Sequence, residues 1–239
     1  MPNPYFQFKQ FTVYHDLCAM KVGIDGVLLG AWSPVDTSTH DILDIGTGSG
    51  LIALMLAQKA AQAQIDAIDI DEGAVQQAII NRDHSPWSER ISMQNISLQD
   101  FTPNCKKKYD LIVSNPPYFA NSLKAPDPSR SKARHTDTIS HEELLQHATE
   151  ILKKTGRICL ILPVTEGLQC VKYAESFSFF CYQCIYVHPK PGTEAKRLLL
   201  EFGFAERETF ISHLEIETPQ RHCYSDAFTQ LAKDFYLKL

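Results

Sequence analysis

A glycine-rich turn between a predicted strand and a predicted helix constrains this chain more than any other feature. The short strand-like run Asp41–Asp44 leads into Gly46-Thr47-Gly48-Ser49-Gly50, and apolar residues recur with helical spacing over 51–63. Glycines permit a tight turn and let a ligand approach the backbone, while the start of the helix offers unpaired N–H groups. Strand, glycine turn and helix open a βαβ unit that binds a nucleotide-like ligand.

The spacing of the glycines distinguishes two kinds of nucleotide site. A dinucleotide-binding turn reads GxGxxG, but Leu51 stands where its third glycine would be, so this turn is GxGxG preceded by Asp44. Asp69 lies 19 residues beyond Gly50, at the end of the next predicted strand, where its carboxylate can accept both ribose hydroxyls. The pattern disfavours a nicotinamide dinucleotide and favours another nucleotide-containing cofactor. A plain tight turn without a ligand is the alternative.

Predicted strands and helices alternate along the chain. The strands after the first are 65–70, 90–96, 109–114 and 157–163, and the helices are 72–81, 140–152 and 166–176. Alternation predicts a mostly parallel sheet covered by helices on both faces. Two last strand-like runs, 179–187 and 197–204, are joined by a loop too short for a helix, so we expect an antiparallel hairpin and seven strands in all.

The predicted strand 109–114 ends in Asn115-Pro116-Pro117-Tyr118. The prolines fix the backbone and donate no N–H, so the main chain presents carbonyl acceptors, and Asn115 adds a side-chain carbonyl. Acceptors beside the Tyr118 ring suit a planar substrate with an NH₂ group, whose lone pair is localised when its N–H groups bond to Asn115 Oδ1 and the Pro116 carbonyl. The tetrapeptide therefore predicts attack by an aromatic or amide amine on an activated methyl group. A strand that merely ends in two prolines is the alternative.

Composition limits the class of protein. Hydrophobic residues make up 44% of the 239 residues, charged residues make up 21%, and the formal net charge is −5. The sequence offers no run of about 18 apolar residues and no signal peptide, so we expect a cytoplasmic protein without a membrane span. We also expect a monomer. Seven scattered cysteines fit a reducing compartment. Cys181 and Cys184 form the single CxxC; on a strand they would face opposite sides, so we expect no metal site.

The glycine turn together with Asn115-Pro116-Pro117-Tyr118 resembles the S-adenosylmethionine-dependent amino-methyltransferases of class I. The segments 8–16 and 18–32 resemble the opening of the bacterial valine-tRNA adenine N6-methyltransferases, which modify the adenine just 3′ of the anticodon, and this resemblance spans nearly the whole chain. It implies an α/β, three-layer Rossmann-like fold with S-adenosylmethionine as cofactor. We expect one domain over 1–239, with an N-terminal capping segment 1–38, a core 39–205 and a C-terminal extension 206–239 that contains a closing helix.

The resemblance also implies the roles of single residues. Lys21 and Asp25 would close the methionine end of the cofactor, Asp44 would contact its amino group and Asp69 its ribose, while Asn115 and Tyr118 would orient the target adenine. The full cofactor-binding set is Lys21, Asp25, Asp44, Gly46, Gly48, Gly50, Asp69, Ile70 and Ser97. Ser97 departs from the family, which has Asp at this position to bind the cofactor's adenine amine. The Ser97 hydroxyl can accept that hydrogen bond, and Asp100 is the alternative.

A tRNA substrate requires local positive charge despite the acidic total. The loop 120–138 carries Lys124, Arg130, Lys132 and Arg134, and the loop 188–195 contains Lys190 and is followed by Arg197. Such cations dominate affinity for nucleic acid because they contact phosphates. We expect both loops to bind RNA, although solvated charges are the alternative for each.

Two other functions compete with tRNA methylation. The same tetrapeptide could accept a glutamine amide of a release factor, but those enzymes usually carry a helical N-terminal domain, and only about 40 residues precede the first predicted strand here. A non-catalytic RNA-binding module could retain the fold, but it would not need an intact Asn-Pro-Pro-Tyr.

Overall fold

An eight-stranded, mostly parallel sheet forms the centre of the molecule. The computed structural model describes residues 3–18, 21–117, 139–220 and 223–239. The strands of the central sheet are β3 (Asp41–Ile45), β4 (Gln64–Asp69), β5 (Ile91–Asn95), β6 (Tyr109–Ser114), β7 (Leu152–Pro163), β8 (Phe180–His188), β9 (Arg197–Gly203) and β10 (Phe210–Glu215). Their spatial order is β10-β8-β9-β7-β6-β3-β4-β5. A separate antiparallel hairpin, β1 (Tyr5–Gln7) and β2 (Thr12–Tyr14), precedes the sheet.

Helices cover both faces of the sheet and give three layers. The α-helices of the described residues are α1 (Ile24–Trp32), α2 (Leu51–Lys59), α3 (Glu72–Asp83), α4 (Leu98–Asn104), α5 (His141–Ile151), α6 (Val164–Ser176) and α7 (Asp226–Ala232). One apolar core joins α1, α2 and α7 to one face, and a second joins α4, α5 and α6 to the other. Strand residues alternate between them, since Leu111 and Val113 enter the first core and Ile112 enters the second.

The strand order places a switch point between β3 and β6. The chain runs outward from β3 through β4 to β5, and it then returns to the other side of β3 with β6. All four strands are parallel, so their carboxyl ends lie at one edge. Loops diverge above such a switch point and leave a crevice, which is where open α/β sheets bind ligands. The glycine turn follows β3 and Asn115 follows β6, so both predicted motifs meet there.

The structure confirms the fold class and adds an eighth strand. The predicted hairpin is β8 and β9, which pair antiparallel, but β10 continues the sheet beyond β8 and pairs parallel to it from Phe210 to Glu215. β10 is an edge strand whose side chains are mostly exposed or half-buried. It therefore lacks the continuous apolar run by which the buried strands are recognised.

Two local predictions at element boundaries have different outcomes. Ser140 caps α5 as expected: its hydroxyl accepts from the Glu143 N–H while the Glu143 carboxylate accepts from the Ser140 N–H. The expectation that Cys181 and Cys184 face opposite sides of the sheet is wrong. A register shift between Cys181 and Gln183 adds one residue to β8, which brings the side chains of Cys181 and Cys184 to the same face of the sheet. Both thiols are buried in the same core, as free cysteines. None of the described helices has the length and apolar character that crossing a membrane requires.

Candidate active site

A cavity of about 570 Å³ opens above the carboxyl ends of β3, β4, β5 and β6. This volume lies within the usual range for small-molecule sites. Its walls are formed by the ends of these strands and by the loops and helix starts that follow them. Cys18 and Ile139 complete the walls from other parts of the chain. The lining residues are Cys18, Ile45, Gly46, Gly48, Ile68, Asp69, Ile70, Asp71, Ala74, Ile96, Ser97, Leu98, Gln99, Asp100, Asn115, Pro117 and Ile139. The predicted cofactor turn, through Gly46 and Gly48, and the predicted amine-binding residue Asn115 therefore share one cavity.

The glycine turn leaves room for a ligand against its backbone. Gly46 and Gly48 have φ angles of +70° and +56°, and a Cβ added to either would have no atom within 4 Å. A side chain would therefore be strained and would project into open space beside the cavity. Gly50 does not line the cavity, but its φ of +80° favours glycine, and an added Cβ would also lie 3.3 Å from the side chains of Ala78 and Met93.

Asp44 lies beneath the turn, fully buried. Its Oδ2 accepts hydrogen bonds from Thr47 Oγ1 at 2.6 Å and from the Ala53 N–H at 3.2 Å. Its Oδ1 is buried and has no partner among the described residues. Burial raises the pKa of Asp44 to about 7, against these two hydrogen bonds, and the Asp69 carboxylate contributes to the rise. An orphaned acceptor of this kind fits the ammonium group of an amino-acid moiety, which would restore its charge balance.

Asp69 ends β4 and holds the turn in place. Its Oδ2 accepts from the Gly48 N–H at 2.8 Å and its Oδ1 accepts from the Asp71 N–H at 3.0 Å. Each carboxylate oxygen keeps a second lone pair, so ribose hydroxyls can still bond there. Ile70 follows and is 56% exposed at the cavity wall. An apolar side chain left open at this point suits the face of a planar base.

Ser97 and Asp100 form a single hydrogen-bonded unit at the far wall. The Ser97 hydroxyl caps α4 by accepting from the Asp100 N–H at 3.1 Å, and it donates to Asp100 Oδ2 at 2.7 Å. Both residues line the cavity. The Ser97 hydroxyl donates its one hydrogen to Asp100, so toward an exocyclic amine it can only accept. The Asp100 carboxylate can accept as well. The two alternatives for the cofactor's adenine amine thus stand side by side.

The amine-binding motif enters the cavity from β6. Asn115 and Pro117 line the cavity, while Pro116 is buried between them. Ser114, to which sequence reasoning gave no role, donates from its buried hydroxyl to the Ile45 carbonyl at 2.8 Å. This bond joins the ends of β6 and β3, so the two motifs are held in a fixed relation. Tyr118 lies outside the described residues.

Three residues expected at the methionine end do not form part of the cavity wall. Lys21, Asp25 and Asp44 are absent from the lining, as far as the described residues define it, and Asp44 is buried beneath the glycine turn. Asp25, in the first turn of α1, accepts from Arg197 Nε at 2.8 Å through its Oδ2. Asp25 and Arg197 are 172 residues apart, and their side chains are 16% and 27% exposed. Arg197 was expected to contact RNA, so the structure gives one predicted RNA-binding residue a carboxylate partner.

The second predicted RNA loop reaches the same edge as the cavity. β8 runs parallel to β7 and β9 runs antiparallel, so the loop that joins β8 to β9 lies at the carboxyl edge. Lys190 in this loop forms an ion pair with Glu217 at 3.1 Å. The positive charge predicted for this loop is therefore offset by Asp25 and Glu217. Lys124, Arg130, Lys132 and Arg134 lie outside the described residues.

Solved structures show the same fold. The chain is similar to a predicted O-methyltransferase from Agrobacterium tumefaciens, with a TM-score of 0.70 and 17% identity over 88% of this chain and 96% of that one. It is also similar to the ribosomal protein L11 methylase of Lactobacillus delbrueckii subsp. bulgaricus, with a TM-score of 0.55 and 18% identity over 78% of this chain and 81% of that one. At these identities the similarity concerns the fold alone.

Sequence relatives identify the family. Residues 27–178 match the Methyltransferase small domain family. The tRNA1(Val) (adenine(37)-N6)-methyltransferase of Parabacteroides distasonis is 50% identical over the full length of both chains. The protein of the same name from Trichodesmium erythraeum is 46% identical over the full length of both chains. The one from Yersinia pestis is 43% identical over 97% of this chain and 93% of that one. The chain therefore belongs to the tRNA1(Val) (adenine(37)-N6)-methyltransferase family.

Proposed function

We propose that this protein transfers a methyl group from S-adenosylmethionine to N6 of adenine 37, the base immediately 3′ of the anticodon, in valine tRNA. The observation that carries the proposal is the single cavity shared by the glycine turn and Asn115. Full-length relatives at 41–50% identity bear the name of this activity. The site residues are proposals supported by their geometry.

The side chains in and beneath the cavity suit the cofactor. Asp69 would bind its ribose, and Ile70 with Ser97 or Asp100 would contact its adenine, all from the cavity wall. Asp44, buried beneath the glycine turn, would face its amino group. S-adenosylmethionine supplies an electrophilic methyl group on a sulfonium. The cavity wall is correspondingly acidic, with Asp69, Asp71 and Asp100 along it, and this charge favours a cationic ligand.

Asn115 and the Pro116 carbonyl would activate the adenine amine. The N6 lone pair is delocalised into the ring, and acceptors that bond the two N–H groups draw the nitrogen toward tetrahedral geometry and localise that pair. The Ser114 bond to Ile45 keeps these acceptors at a set distance from the glycine turn. Fixed acceptors favour the transition state because they need no reorganisation during the reaction.

Positive charge for tRNA is proposed to come chiefly from Lys124, Arg130, Lys132 and Arg134. Lys190 and Arg197 are weaker candidates, since each already has a carboxylate partner. An adenine in the anticodon loop is unpaired, so its extrusion into a cavity costs less than flipping from a duplex.

The decisive experiment supplies labelled S-adenosylmethionine with unmodified valine tRNA and analyses the nucleosides. We expect label in N6-methyladenosine. The matched control is the same tRNA with guanine at position 37, which has no N6 amine and should remain unlabelled. Equal labelling of both tRNAs, or no label in valine tRNA beside label in a release factor supplied in a parallel reaction, would contradict the proposal.

A further inference from the structure

Two buried side chains of α3 hold the main chain of residues 14–17. The Tyr14 N–H donates to Asn81 Oδ1 at 2.8 Å, and Asn81 Nδ2 donates to the Tyr14 carbonyl, also at 2.8 Å. The Leu17 N–H donates to Gln77 Oε1 at 2.9 Å. Asn81 is 0% exposed and Gln77 is 1% exposed. Amides withdrawn from water to this extent are costly unless they are hydrogen-bonded, so these contacts fix the path of the segment.

Three residues spaced regularly along α3 contact the main chain of residues 14–17. Gly73, Gln77 and Asn81 are each four residues apart and lie on one face of the helix. A Cβ added to Gly73 would lie 3.2 Å from the Leu17 carbonyl oxygen, so the segment crosses the helix there. Tyr14 is bonded to Asn81, the Leu17 N–H to Gln77, and the Leu17 carbonyl lies over Gly73, so the contacts follow the helix in order. The segment therefore runs from Asn81 back toward the start of α3.

This path links the glycine turn to the cavity wall. A second hydrogen of Asn81 Nδ2 is donated to the Ser49 carbonyl at 2.8 Å, inside the glycine turn. At the other end of the segment, Cys18 lines the cavity beside Asp69 and Asp71. The buried Asn81 amide therefore bonds to both the segment and the glycine turn. Neither Asn81 nor Gln77 is among the described residues that line the cavity.

We propose that Asn81 and Gln77 are positioning residues for cofactor binding, an inference that rests on the proposed function. They set the distance between residues 14–18 and the glycine turn. Through this distance they place Cys18, which lines the cavity together with Asp69 and Asp71. Neither residue touches the reacting atoms, and their contribution is expected in cofactor affinity rather than in the chemical step.

The test compares variants that differ only in these hydrogen bonds. Calorimetry measures the Kd for S-adenosylmethionine, and steady-state kinetics give KM and kcat. Asn81→Ala removes three hydrogen bonds and should raise Kd and KM about tenfold, whereas Gln77→Met removes one and should raise them about threefold. In both variants kcat at saturating cofactor should be nearly unchanged. Gln77→Glu keeps the acceptor for the Leu17 N–H and should restore Kd.

A matched control shows whether the effect depends on the buried position of Gln77 or on the change from Gln to Met in α3. Gln76→Met makes the same change on the same helix, but Gln76 is exposed and faces solvent, so its Kd should equal that of the wild type. Amide hydrogen exchange should accelerate at residues 14–17 in Gln77→Met and Asn81→Ala, and remain slow in β3 and β4.

Three results distinguish this inference from a purely structural role, from a folding defect and from a failure of the proposed function. Wild-type Kd in both Asn81→Ala and Gln77→Met, even with a lowered Tm, would overturn the inference and leave a purely structural role. If Asn81→Ala does not fold, the Gln77→Met and Gln77→Glu pair decides through Kd. If the wild type binds S-adenosylmethionine but methylates no valine tRNA, the proposed function fails and the Kd comparison still tests these residues.

Discussion

The two halves of the carboxyl edge are built differently. On the β3–β5 side, carboxylates and amides are tied down by short hydrogen bonds to the backbone, as in Asp69 to Gly48 and Asn81 to Ser49. On the β8–β10 side, the cations are held by other side chains, as in Lys190 to Glu217 and Arg197 to Asp25. The first half is therefore formed before its ligand arrives. If Lys190 and Arg197 bind RNA as proposed, each must exchange its carboxylate partner for a phosphate, which lowers the net gain in binding free energy.

The largest expected effect concerns Asp44 on the preformed side. Its pKa of about 7 lies above the ordinary value of an Asp, so the wild type is relatively destabilised as pH rises from about 4 to 7. The amide that replaces the carboxyl group in Asp44→Asn does not titrate. This variant should therefore gain stability relative to the wild type over this interval, by up to about 4 kcal/mol, because one pKa unit corresponds to ~1.4 kcal/mol.

Denaturant unfolding of both proteins at several pH values measures this difference. A constant difference between pH 4 and pH 7 would contradict it. Because Asp44 is proposed to face the amino group of the cofactor, Asp44→Asn should at the same time bind S-adenosylmethionine less tightly.

Asn115→Ala tests the other preformed motif. We expect kcat to fall by about 10²-fold or more, since a preorganised hydrogen-bonding partner of the transition state is removed. The Kd for S-adenosylmethionine should remain within about threefold, which calorimetry can measure. An unchanged kcat would refute the role of Asn115, and an equal loss of cofactor affinity would place it in the cofactor site instead.

The paired Arg130→Ala and Arg134→Ala substitution addresses the RNA side. Loss of two phosphate contacts should weaken valine-tRNA binding about tenfold at moderate salt and reduce the slope of log K against log salt by about 2. Binding titrations at several salt concentrations give both values. If neither affinity nor slope changes, the loop 120–138 does not contact phosphate.

Glu217→Gln is expected to have the smallest effect, and its sign is informative. It removes the carboxylate that pairs with Lys190, so tRNA should bind up to about twofold more tightly, as exposed ion pairs contribute less than about 1 kcal/mol. Lys190→Ala should weaken binding by a similarly small factor. Weaker binding by Glu217→Gln would mean that the ion pair positions the loop rather than competing with RNA.

Local patterns predicted the motifs, and distant contacts decided their partners. The glycine turn, the Asn115 motif and the Ser140 capping box depend on residues adjacent in sequence, and each was recognisable from spacing. Arg197 pairs with a residue 172 positions away, and no local signal distinguishes that arginine from a free one. The CxxC prediction failed for a related reason, because a bulge in β8 changes which face each thiol occupies.

The stripe of Gly73, Gln77 and Asn81 has a consequence for how this family can vary. It binds the segment through main-chain N–H and C=O groups, so it does not read the side chains of Tyr14 and Leu17, which are 37% and 48% exposed. Substitution of Leu17 should therefore be tolerated better than substitution of Gln77 or Asn81, whereas Tyr14 is also constrained by its ring contacts with Tyr5 and His84. The hairpin before residue 14 is placed by side chains buried in the first core, namely Phe8, Phe11 and Val13, while residues 14–17 are placed by α3 through their backbone.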